Sequence, residues 1–208
     1  MKTRIITFGI ALMLSCVTVN AQRTTSITLG VSPYGYAKSA AYWDKNNDFT
    51  YFYKPTIGAN ICIESQGSGL ASLTEISYYQ GDFDKWEIDG MTMSYDMLQK
   101  EDFMQMALTQ YWGGNLFGKN RRVQMPLYFG LGCGYVQGGP IHNVTGDVAA
   151  KLRLKFYISN HFGIYAGGTG RIGIGMKTDK AINSNDKDKH MAVGNLLCTA
   201  DAGIIISF

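Results

Sequence analysis

Gly168-Thr-Gly170-Arg-Ile-Gly173 spells the glycine fingerprint that lets backbone amides cradle a pyrophosphate where a strand passes into a helix. That chemistry needs a helix opening on the last glycine. Residues 162–176 instead alternate apolar with small or polar types, so the motif reads as part of a strand. Asp44-Lys-Asn46-Asn-Asp48 has the oxygen spacing that begins a calcium loop, but Phe49 stands where glycine is required and no glutamate closes the loop. Asn143-Val-Thr145 fits the glycosylation sequon and reads as incidental. His142, His161 and His190 are the three histidines. His190, near Asp186 and Asp188, can be paired with Ser184 as base and nucleophile of a lipid-modifying enzyme, though nothing in the spacing requires it. No CxxC and no His-x-x-x-His spacing occurs, so no metal site and no cofactor is expected. Charged residues carry more information. Lys151, Arg153 and Lys155 recur at every second position, which puts all three on one face of a strand.

The first elements to place are at the N-terminus. Met1-Lys-Thr-Arg4 is a basic start, residues 5–19 are apolar, and Val19-Asn-Ala21 supplies a small-residue cleavage site. Residues 1–21 are therefore expected to be an export signal, with a lipoprotein signal ending at Cys16 as a poorer fit. Removing 21 of 208 residues leaves 187, one domain over 22–208, and removing Lys2 and Arg4 lowers the formal charge from +3 to about +1. So weak a balance gives no electrostatic footprint for nucleic acid. The remaining cysteines, Cys62, Cys133 and Cys198, are too few and too scattered for a disulfide framework. With 25 glycines, 4 prolines and 17% charged residues, the composition argues against disorder, a coiled coil and a helical membrane protein.

Beyond residue 21 the hydrophobic period is two. Residues 49–65 place Phe49, Tyr51, Tyr53, Pro55, Ile57, Ala59, Ile61 and Ile63 on one face, and Lys54, Thr56, Asn60 and Glu64 on the other. Residues 123–135, 148–158 and 195–208 repeat the pattern, and weaker versions occupy 24–37, 70–81, 103–113 and 162–176. Eight strands result. The crossings 66–69, 117–120 and 159–160 are short, whereas 38–48, 82–102, 137–145 and 177–189 are longer and more polar. Within the second long crossing, residues 86–95 fit a hairpin that prolongs two strands above the rest.

Facing decides the environment. One side of each strand carries Leu, Ile, Val, Phe and Met with almost no charge. The other carries glycine and Lys54, Glu64, Glu75, Lys151, Arg153, Lys155, Arg171 and Asp201. A soluble ligand-binding barrel of the lipocalin kind requires apolar residues inside. An outer-membrane barrel requires a lipid-facing apolar band, a polar interior, short turns at one end and long loops at the other. The charges are thus placed in a lumen, five cations against three anions, with Asp201 expected to pair with Arg171 on the next strand. A salt-bridged plug is the favoured reading and a narrow anion-favouring pore the alternative. Tyr34, Tyr36, Tyr51, Tyr53, Tyr78, Tyr79 and Tyr135 are expected in one aromatic girdle, and Trp112, Phe117, Phe156, Phe162 and Phe208 in the other.

The signal ending Val19-Asn-Ala21-Gln22, the strand Pro126-Leu-Tyr-Phe-Gly-Leu-Gly132 and the terminal Ile204-Ile-Ile-Ser-Phe208 resemble the small eight-stranded outer-membrane barrels of gram-negative bacteria, the OmpA/OmpX type. That resemblance implies an all-β, antiparallel, up-and-down barrel in the outer membrane. It also implies that Ile204, Ile206 and Phe208 serve as the signal read by the barrel-assembly machinery. No catalytic residue carries over, since the family shares no single activity. The resulting expectation is a non-enzymatic, monomeric barrel whose partners are outer-membrane lipid, the assembly machinery and an extracellular ligand at the loops.

Overall fold

The computed structural model describes residues 24–42, 48–67, 70–88, 91–93, 102–116, 122–138, 141–177 and 192–208. The expected signal at 1–21, residues 44–47 of the calcium-like loop, Phe117, Ser184, Asp186, Asp188 and His190 lie outside these residues. All twelve elements are strands: β1 Thr24–Tyr42, β2 Asp48–Tyr53, β3 Thr56–Gln66, β4 Ala71–Gly81, β5 Phe83–Ile88, β6 Met91–Met93, β7 Phe103–Asn115, β8 Val123–Gln124, β9 Pro126–Gly138, β10 Ile141–Tyr157, β11 Phe162–Lys177 and β12 Ala192–Ser207.

Eight of these close a barrel in the order β1, β3, β4, β7, β9, β10, β11 and β12, each antiparallel to the next. β12 returns to pair with β1 from Ser26↔Ser207 to Tyr42↔Ala192, leaving the barrel no open edge. Among the described residues no helix is long and apolar enough to cross a membrane. β2 and β5 stand above the barrel, where β2 pairs with the upper part of β1 and with β5, and β5 with β6. The hairpin expected at 86–95 is therefore present, with Trp86↔Met93 and Ile88↔Met91 in register. By contrast, the loop expected over 137–145 is ladder: β9 and β10 stay paired up to Gly138↔Ile141.

Two prolines reset the alternation. Proline lacks the N–H that a ladder needs, so it is tolerated at bulges. In β1 the register shifts around Pro33, and Pro33 and Tyr34 both face outward. Between β2 and β3, Lys54 and Pro55 are both exposed, so the odd positions Tyr51 and Tyr53 point inward above them while the even positions Thr56, Asn60, Cys62 and Glu64 point inward below. The single strand expected at 49–65 is two strands of opposite parity.

The surface is inverted relative to a soluble protein. Leu29, Ile61, Ile63, Phe129, Leu131, Val148, Leu154, Ile164 and Ile172 are exposed around the wall, while lysines, arginines and carboxylates are buried inside. Lipid, which matches the exposed apolar wall, is the medium in which this arrangement is stable. Space inside is made by glycine. The Tyr165 ring on β11 lies across Gly203 of β12 and Gly30 of β1: a Cβ at Gly30 would fall 1.9 Å from the tyrosine oxygen. Tyr111 covers Gly130 on a nearby strand in the same way, 2.5 Å from where a Cβ would stand.

Candidate functional site: a charged lumen under an aromatic cap

Inward parity on β10 lines up Asp147, Ala149, Lys151, Arg153 and Lys155 down the barrel. Opposite them stand Glu75 on β4 and Glu64 on β3. Glu75 is the hub. Lys151 is ion-paired to its Oε2, Arg153 Nη2 lies 3.7 Å from the same oxygen, and Arg171 Nη2 lies 3.5 Å from Oε1. Tyr111 donates its hydroxyl to Glu75 at 3.4 Å and the Cys62 thiol donates to it at 3.3 Å. Nearer the short turns, Lys155 pairs with Glu64, which also accepts the Tyr128 hydroxyl at 2.7 Å. Arg153 sits between the two centres. It donates to Thr28 at 3.3 Å and to Cys62 Sγ at 2.9 Å, and its guanidinium stacks 4.4 Å from the Tyr165 ring centroid.

Seven of the eight charges read from the sequence, Glu64, Glu75, Lys151, Arg153, Lys155, Arg171 and Asp201, lie in this interior. Lys54 does not: it is exposed at the bulge, 4.0 Å from Asp82. The expected pairing of Asp201 with Arg171 is also replaced. Asp201 stands opposite Gly167, four residues from Arg171 on the neighbouring strand, a separation of about 13 Å at strand rise. It takes Lys151 at 3.3 Å and the hydroxyls of Ser32, Thr169 and Thr199 at 2.5, 2.7 and 2.9 Å. Arg171 turns instead to Glu75 and to Asp147, 3.7 Å from its Nη1. Asp147 lies one residue before the alternation expected to begin at Val148, and its parity with Lys151 is the signal in the sequence that places it inside.

Charge arithmetic changes as a result. Among the described residues, four buried cations (Lys151, Arg153, Lys155, Arg171) face four buried anions (Glu64, Glu75, Asp147, Asp201). The five-to-three surplus that would favour anions is gone. Every one of the eight has an opposite charge within 4 Å.

Above this layer the lumen is covered by Ala37, Tyr51, Tyr53, Tyr79, Phe103, Val136, Val193 and Leu197, with Phe83 and Trp86 packed against them. Tyr53 and Phe103 meet with ring centroids 4.7 Å apart. Tyr51, Tyr53 and Tyr79 therefore belong to an inward cap and not to the girdle expected of them. Tyr34, Tyr36 and Tyr78 are exposed on the wall, as are Trp112, Phe156, Phe162 and Phe208 toward the short turns. On the outer side of β2, Phe52 is flanked by Lys38 and Lys85, 5.0 and 4.8 Å from its ring centre.

The other motifs resolve as strand. Residues 168–173 lie inside β11, which continues as strand to Lys177 where the fingerprint needs a helix to open. Asn143 of the sequon is buried in the barrel. His142 meets the Tyr135 hydroxyl at 2.8 Å on the long-loop side, and His161 the Ser207 carbonyl oxygen at 3.1 Å at the opposite end, so the two do not converge. Among the described residues no group of three His, Cys, Asp or Glu side chains is placed to hold a metal.

No family model matches the chain, and no curated protein sequence matches it significantly. Among solved structures, the outer membrane protein OprG from Pseudomonas aeruginosa superposes with a TM-score of 0.55 at 9% identity, over 89% of this chain and 95% of that one. Neisserial surface protein A, NspA, gives 0.44 at 11% identity over 88% and 97%, and the outer membrane protease OmpT from Escherichia coli gives 0.45 at 8% identity over 92% and 99%. The OprG superposition shows a shared barrel fold. The two looser ones add no argument.

Proposed function

We propose that the chain is a non-enzymatic outer-membrane barrel with a closed lumen, acting through the structures it raises on its long-loop side. The observation that carries this reading is the charge balance of the interior among the described residues: four cations and four anions, each with an opposite charge within 4 Å, linking β3, β4, β10, β11 and β12 beneath an aromatic lid. Narrow eight-stranded barrels have interiors that side chains just fill. The enzymatic alternative needs a base and a nucleophile at one rim; its pair, Ser184 and His190, lies outside the described residues, and of the described histidines His142 stands on the long-loop side and His161 at the opposite end. Outer-membrane lipid contacts the apolar wall, and an extracellular ligand would engage the β2–β5–β6 ribbon and the loops beside it. Ile204 and Ile206 face lipid, and the Phe208 N–H donates to the Thr25 carbonyl oxygen at 2.9 Å at the closing seam; these three are the assembly signal in this reading.

Two measurements test it together. The protein extracted from outer-membrane fractions should migrate differently on a gel with and without boiling. Reconstituted in a planar bilayer, it should show no steady ion conductance. A soluble protein without a mobility shift refutes the membrane barrel, and a stable open channel refutes the closed lumen.

A further inference from the structure

Between the two rims of the wall, lipid-facing positions are held by aliphatic, aromatic or small residues. Among the described residues this uniformity breaks at one place, on β4 and β7. Thr74 and Gln110 face each other across the ladder there, and the Thr74 hydroxyl donates to Gln110 Oε1 at 2.5 Å. Thr74 is three residues above the start of β4 and Gln110 two residues above Trp112 of the short-turn aromatic group, so the pair lies one ladder step inside the rim, on the apolar side of it. Leu131, Ile76, Trp112 and Ile63 are its neighbours in the ladder, all exposed. A primary amide offers two N–H donors and two acceptor lone pairs. Gln110 uses one donor on the Tyr111 carbonyl oxygen, at 3.3 Å, and one lone pair on Thr74. One donor and one acceptor are left to face hydrocarbon, where an unmet polar group is unfavourable and lipid tails offer no partner.

We infer that the Gln110 face of β4 and β7 is the contact surface for a second copy of this chain, joined about a two-fold axis beside Gln110. An amide with one donor and one acceptor to spare is complementary to itself. A two-fold axis lets each Gln110 donate to the other, which is the reciprocity an isologous interface demands. Flat apolar neighbours then supply the packing that drives association in lipid, with the polar pair setting its position. The dimer differs from the monomer expected from the sequence, and it rests on the membrane reading above.

The full mature chain, labelled at its N-terminus with donor or acceptor dye, is refolded into lipid vesicles, and insertion is verified by the heat-dependent gel shift. Energy transfer is then followed as protein is diluted with lipid. The wild type should show transfer that saturates as protein-to-lipid ratio rises. Gln110→Leu, which suits a lipid-facing site, should insert normally and need about a tenfold higher ratio for the same transfer. Thr74→Val leaves the Gln110 amide in place and should dimerise as the wild type does. Wild-type protein that inserts but shows no transfer overturns the dimer while leaving the membrane barrel intact, as does a Gln110→Leu protein indistinguishable from wild type. Failure to insert at all defeats the membrane reading instead.

Discussion

Neutralising Glu75 gives the sharpest test of the buried network. Glu75→Gln keeps the shape and removes the charge to which three cations are tied. Lys151 retains Asp201 at 3.3 Å and Arg171 retains Asp147 at 3.7 Å. Arg153, 3.7 Å from Glu75, is left without its carboxylate. Breaking a buried pair by removing one partner costs about 3–5 kcal/mol. Two of the three cations keep another partner, so the lower end applies, about 3 kcal/mol. At a urea dependence of about 2 kcal/mol per molar, the unfolding midpoint from lipid vesicles should fall by about 1.5 M. Tryptophan fluorescence and gel mobility follow the transition. Adding Arg153→Met leaves three complete pairs, Lys151 with Asp201, Lys155 with Glu64 and Arg171 with Asp147, so the double variant should recover more than half of the loss. A Glu75→Gln protein within about 0.5 kcal/mol of wild type, or a double variant whose losses simply add, would refute the network as described.

Other consequences are as direct. Lys54→Ala removes an exposed group and should change stability by less than about 0.5 kcal/mol, read from the same urea curves. Gly203→Ala puts a methyl 2.1 Å from the Leu29 carbonyl oxygen and 2.8 Å from the Tyr165 ring, and should lower stability by about 1–3 kcal/mol and weaken the unboiled compact band. Phe103→Ala opens the cap beside Tyr53 and should cost about 3–5 kcal/mol, with brief conductance events in planar bilayers that the wild type lacks. Phe52→Ala removes the ring between Lys38 and Lys85 and should lose about 1 kcal/mol without altering conductance.

Most of the barrel was legible because a two-residue period with charge confined to one parity has a single membrane solution. The strands over 123–135, 148–158 and 195–208 showed it cleanly because no proline falls within their regular ladders beyond Pro126 at the start of β9. Pro33 and Pro55 hid the rest. Each inserts an extra residue and inverts the facing beyond it, which blurred β1 and put Lys54, Tyr51 and Tyr53 on the wrong sides. Partner choice in the lumen was not legible either. Which cation meets which carboxylate follows from the stagger between non-adjacent strands, such as Glu75 on β4 reaching Lys151 on β10, and no local spacing records it. The polar pair Thr74 and Gln110 was visible as letters but not as neighbours until β4 and β7 were placed in register.

Tyr165 also bears on the order in which the barrel is completed. The two glycines beneath its ring lie far apart in sequence, Gly30 on β1 and Gly203 on β12, and they stand side by side only when β1 and β12 are paired. Before that moment the ring has no floor, its hydroxyl has no Asn60 to donate to at 3.1 Å, and the Arg153 guanidinium lacks a settled surface to stack on. The side chain therefore works as a latch across the closing seam. Its seating reports that the sheet has become a cylinder, and a curled but unsealed sheet is denied the stacking and the hydrogen bond that reward closure.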